Sequence, residues 1–181
     1  MVQPLITRNI PAEFLTVNHY IFGQVLVSNT GMLGILCDST TSFVELNDAS
    51  VARIVKPDKI INYASSMWLV KDRVICVCLN KPDYIGSTSL ARSSYTRVYQ
   101  YPVQLTTSVF EIQGTLEWAG RFDFSIVMSE GSNPFLTIYD ARISATLFPA
   151  LTVDTPVMLF NRRFLDALVH VKRTADISQK Q

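Results

Sequence analysis

Apolar positions along this chain come in short runs, cut every few residues by polar or glycine-bearing turns. Phe14, Leu15 and Val17 lead into Tyr20, Ile21 and Phe22, and Val25, Leu26 and Val27 follow Gly23. β-Branched and aromatic side chains dominate these runs, which favours strands. Asn29, Thr30 and Gly31 give a turn signal. Met32, Leu33, Ile35 and Leu36 then predict the next strand, with Gly34 as a bend inside it. Residues 43–46 predict a further strand, and residues 49–54 continue the extended pattern. Lys56, Pro57 and Asp58 interrupt it. Ile60 and Ile61 resume an apolar segment. Residues 67–70 and 74–79 flank the charged turn Lys71-Asp72-Arg73 and form the clearest hairpin of the first half. Residues 1–13, which hold Pro4 and Pro11, read as an arm or an irregular first strand.

Residues 81–98 predict a linker, because Pro82, Gly86 and a dense Ser/Thr run mark a shift in composition. Strand character returns at Tyr95, Val98, Tyr99 and Tyr101, and Pro102 favours an edge or strand-start position. From there the first half repeats in outline. Phe135-Leu-Thr-Ile-Tyr-Asp140-Ala141 resembles Phe43-Val-Glu-Leu-Asn-Asp48-Ala49 at a spacing of 92. Gly114 with Leu116 parallels Gly34 with Leu36 at a spacing of 80. The last hairpin, with its turn at Asn161-Arg162-Arg163, parallels residues 67–79 at a spacing of 90. On these landmarks the second copy carries about 12 extra residues near 118–134, readable as helix or strand. Three landmarks in the same order point to an internal duplication.

The expected fold class is all-β: two tandem small SH3-like or Sm-like barrels, one over residues 14–80 and one over 99–171. A five-stranded unit must bury one face, and curling removes most of its exposed edge. A single larger sandwich or split barrel is the competing architecture.

Composition changes this picture only at the surface. Of 181 residues, 48% are hydrophobic and 17% charged, enough for a core and low in surface charge. Such a surface is often partly covered by other subunits. The formal net charge is +1, and the halves are nearly balanced, with seven basic and seven acidic residues before residue 91 and nine and eight after. The bulk charge therefore does not indicate nucleic-acid electrostatics. Three cysteines and no signal-peptide pattern point to a reduced, cytoplasmic setting. No run approaches a membrane span.

Residues 107–169 resemble the uncharacterised bacterial DUF6812 domain. The resemblance rests on Phe110-Glu-Ile-Gln-Gly114-Thr-Leu116, on residues 135–142 and on Leu159-Phe-Asn161-Arg-Arg-Phe164. The first half looks like a divergent copy that keeps Gly34, Asp48, Ala49 and the last hairpin, and has Lys71 opposite Asn161. The strand pattern also looks like Sm-like barrels. That likeness implies ring assembly and RNA contact, while the DUF6812 resemblance implies no activity.

Candidate chemistry is sparse. His19 and His170 have no Cys, Asp or Glu at a metal-ligating spacing, and Cys37, Cys76 and Cys78 do not form two paired motifs. No nucleophile elbow and no phosphate loop are present. Asp48 and Asp140 read as turn-shaping residues with Gly34 and Gly114. The expectation is a protein with no catalytic residues, cofactor, metal or specific small-molecule ligand, and one that associates with itself. The alternative is RNA or single-strand binding through Lys71, Arg73, Asn161, Arg162 and Arg163, whose side chains suit phosphate and base edges.

Overall fold

The computed structural model describes residues 7–86, 97–129 and 133–170. The described chain is mostly β. Its strands are β1 (Arg8–Leu15), β2 (His19–Val27), β3 (Phe43–Arg53), β4 (Lys56–Val70), β5 (Cys76–Leu79), β6 (Val98–Thr106), β7 (Phe110–Ala119), β8 (Phe135–Ala145), β9 (Thr152–Asn161) and β10 (Ala167–His170). Two short helices, α1 (Gly31–Cys37) and α2 (Phe124–Ser129), interrupt them. All strand pairs are antiparallel, in one ten-stranded sheet ordered β10-β6-β7-β8-β9-β5-β1-β2-β3-β4. The sheet is open. β5 and β9 pair across the middle of the chain and join the two halves into one continuous ladder.

Within that ladder the order β5-β1-β2-β3-β4 is repeated as β10-β6-β7-β8-β9. The equivalence extends to single residues. Thr16 closes the β1–β2 turn through its hydroxyl, which accepts from His19 N at 3.0 Å. Thr107 closes the β6–β7 turn in the same way, accepting from Phe110 N at 2.8 Å. Pro11 and Pro102 lie in the first strand of each half, outside the short stretch paired with the fifth strand, so their missing N–H leaves no gap in the ladder. Gly23 and Gly114 sit at the register shifts of β2 and β7. Asp48 and Asp140 lie opposite those shifts with φ 49° and 48°, the only non-glycine residues of the described chain with positive φ. Asp tolerates this left-handed region better than bulkier residues do.

These positions correct the sequence landmarks. The glycine equivalent to Gly114 is Gly23, while Gly34 lies in α1. Residues 32–36 form a helix instead of a strand because Met32 and Leu36, four apart, bury one helical face. With Gly23 as the landmark, the 12 extra residues disappear: β2 to β3 and β7 to β8 are joined by equally long excursions, each carrying one short helix. The undecided segment near 118–134 contains α2. The final hairpin is offset by 91 residues, not 90, so Lys71 corresponds to Arg162 and Val70 to Asn161. Pro57 does not interrupt a strand, because β4 is an edge strand and accepts proline near its start. Part of the expected linker is ordered: a 3-10 turn spans Pro82–Tyr84, and Ile85 is buried. Residues 87–96 of it lie outside the described residues.

Two apolar clusters form the core. One gathers Ile10, Phe14, Ile21, Val25, Leu46 and Leu69 with α1 and borrows Phe135, Val157 and Leu159 from the second half. The other gathers Leu105, Phe110, Ile112, Leu116, Ile138 and Phe160 and borrows Leu15, Ile75, Cys76 and Cys78 from the first. Alternation explains the exchange. On β9, Met158 and Phe160 face one cluster while Val157 and Leu159 face the other.

Candidate functional site

The joint between the halves is where the chain's polar and charged turns converge. β5 and β9 pair with Cys76 opposite Phe160, Val77 opposite Leu159, Cys78 opposite Met158 and Leu79 opposite Val157, all deeply buried. At the end of this ladder Asn161 N donates to Ile75 O at 2.8 Å, and Asn161 Nδ2 donates to Val74 O at 3.0 Å. On the surface above it, Arg163 Nη1 reaches Asp72 Oδ1 at 2.6 Å.

Lys71 and Arg162 do matching work. Each begins the 3-10 turn after the fourth strand of its half, and each points back into the excursion that follows the second strand. Lys71 Nζ donates to Asp38 O at 2.9 Å, Thr41 O at 3.0 Å and Thr41 Oγ1 at 2.8 Å. Burial lowers its pKa from the ordinary lysine value. Arg162 donates to Val127 O and Asn133 O. Each cation thereby supplies donors to carbonyls that a short helix and its loop leave without intrahelical partners. The two excursions also touch one another, Cys37 Sγ donating to Asn133 Oδ1 at 2.8 Å. Burial pushes the Cys37 thiol up to about 11.

Of the five residues suited to nucleic-acid contact, Lys71, Asn161 and Arg162 are thus buried, with polar atoms bonded to main chain. Arg73 is exposed, and Arg163 is exposed and paired with Asp72. The structure gathers Asp72 and Arg163 at the joint. It places Asp48 and Asp140 at equivalent exposed bulges of β3 and β8. Asp48 lines a small cleft with Glu13, and Asp140 lines a shallow one with Asp154, whose carboxylate is held by Arg142. Among the described residues no three His, Cys, Asp or Glu side chains gather in a metal-binding cluster, and no helix is long and apolar enough to cross a membrane. The Tyr20 phenol, raised by burial and then by its hydrogen bond to Glu13, stays protonated.

The free edges of the sheet show what the joint would look like undone. β4 and β10 each have an unpaired side among the described residues. Phe43, beside β4, is 42% exposed, whereas its equivalent Phe135 is 3% exposed at the joint. Of these two matched phenylalanines only Phe135 is covered. Trp68 is 62% exposed against 0% for its equivalent Leu159. On β10, Val169 is 52% exposed against 3% for Cys78. Sequence reasoning missed this edge because an offset of 90 pairs Trp68 with Met158, which faces the other side of β9. The signal was available in Pro11, Thr16 and Gly23, which recur as Pro102, Thr107 and Gly114 at a uniform spacing of 91.

No protein family, no curated protein and no solved structure matches this chain.

Proposed function

We propose that this chain is a non-enzymatic, self-associating structural protein made of two Sm-like five-stranded units, and that copies join end to end through β4 of one and β10 of the next. One observation carries the reading. Residues on the free edges are apolar and exposed at the positions whose equivalents are buried in the β5–β9 joint. An exposed apolar edge strand is a template for another chain. Transferring the register of β5 on β9 by the 91-residue offset sets Ala167 opposite Leu69, Leu168 opposite Trp68, Val169 opposite Met67 and His170 opposite Ser66. In that arrangement Arg163 of one copy faces Asp72 of the next, repeating the ion pair of the internal joint. The contact joins two different surfaces, so it propagates and closes into a ring if the rotation per copy allows. The repeated order of fifth strand beside first supports the Sm-like reading of each unit.

Light scattering over a dilution series tests the proposal. The wild type should run well above 20.3 kDa, and Trp68→Glu should return it to the monomer while it stays folded. A Trp68→Cys, Leu168→Cys double variant should cross-link between copies. A wild type that is monomeric at every concentration refutes the reading.

A further inference from the structure

The turns of the two halves enclose a cleft of about 580 Å³. We propose that it binds a small organic acid, a single carboxylate on an apolar body, independently of self-association. The volume falls in the range of small-molecule sites. The walls come from both halves: Val17 and Ile54 from the first, Val109 and Phe148 from the second. They are apolar, and much of Val17 and Phe148 is exposed to the cleft and solvent.

The anchor for the carboxylate is a pair of nitrogen donors, His19 and Arg53. These two residues stand directly opposite one another on β2 and β3. Directly opposed residues point their side chains to the same face, with Cβ atoms about 4.5–5.5 Å apart. Both line the cleft, and no Asp or Glu does. Neither side chain makes a hydrogen bond or ion pair with another described residue, whereas the buried Lys71 and Arg162 are engaged. A guanidinium next to an imidazole suits the two oxygens of one carboxylate through charge-assisted hydrogen bonds. The cleft therefore offers one anionic subsite at its rim and apolar surface for the rest of the molecule.

Octanoate is the probe, with octan-1-ol as its neutral counterpart and inorganic phosphate as an anion without an apolar body. Titration is followed by amide chemical shifts at a protein concentration where the wild type has one defined mass. Octanoate should bind saturably with Kd about 0.1–1 mM, the scale expected for ten non-hydrogen atoms. The shifts should centre on Val17, Ile54, Val109 and Phe148. Arg53→Gln should weaken octanoate about tenfold and leave octan-1-ol unchanged, the size expected for loss of a charge-assisted bond. Ser108→Trp, at an exposed residue of the rim, should block both. Absence of saturable octanoate binding overturns the proposal. So do equal affinities for acid and alcohol with no effect of Arg53→Gln, shifts spread over the whole surface, or phosphate binding at the same place with octanoate excluded. All the lining residues belong to one chain, so a monomeric wild type would refute the assembly reading and leave this one standing.

Discussion

Gly23 and Gly114 occupy equivalent bends, yet the room around them differs, and that difference sets the cost of adding one methyl group. A Cβ on Gly114 would lie 2.5 Å from Ile138 Cγ2, 2.9 Å from Tyr139 O and 3.3 Å from Ala141 Cα. Ile138 is fully buried, and its β-branch leaves little rotamer freedom. The carbonyl and the Cα belong to the backbone of β8 and move only if that strand moves. On Gly23 the nearest atoms are Leu46 Cβ and Cδ2, both at 3.1 Å, then Asn47 O at 3.4 Å. A shift of a few tenths of an ångström relieves those contacts. Overpacking of the first kind costs about 2–3 kcal/mol. At Gly23 a smaller strain is offset by about 0.5–1 kcal/mol from removing a strand glycine. Gly114→Ala should therefore lose about 2–3 kcal/mol, about 4–12 °C in Tm for a chain of this size. Gly23→Ala should stay within about 1 kcal/mol of wild type. Urea unfolding at matched protein concentration reads both, with unchanged m-values as the sign that only stability moved. If Gly23→Ala is as damaging as Gly114→Ala, close approach of β8 is not what demands glycine, and the reasoning fails.

Two further outcomes follow from single sites. At Asp48 and Asp140, both at φ near 50°, replacement by Val should cost about 1–2 kcal/mol each and replacement by Gly should be neutral or mildly stabilising. Equal effects of Val and Gly in thermal unfolding would show that the left-handed backbone is not the constraint. Cys37 has an ordinary thiol value of 9.0 and is held up to about 11 in the fold. Between those values the unfolded chain releases this proton and the folded chain keeps it, so the stability tied to Cys37 is complete below pH 9.0 and declines toward pH 11. The stability advantage of wild type over Cys37→Ala should shrink across that window, and a gap that does not vary with pH would contradict it.

The sequence alone pointed to strands in the longer runs and to a repeat. Period-two patterning and β-branched residues are local properties, so strands were legible wherever the runs were long, as at residues 43–54 and 67–79. Asp48 and Asp140 were legible as partners because a motif of several residues carried them. What sequence could not settle was register. Gly34 and Gly23 are both glycines among apolar residues, and only the packing of Met32 and Leu36 against the core shows which of them lies in a helix. In the last hairpin taken alone an offset of 90 or 91 looks equally good, but in a sheet one residue turns every side chain to the opposite face. Lys71 and Arg162 carry no mark of burial in the sequence. Their turns look like solvated hairpin turns until the carbonyls of the excursions, some 30 residues upstream, are brought to meet them. The joint itself is purely tertiary. β5 and β9 are separated by most of the second half, and neither carries a pattern naming the other. Their pairing joins the two five-stranded halves into one sheet, and it leaves Trp68 and Val169 exposed at the two ends.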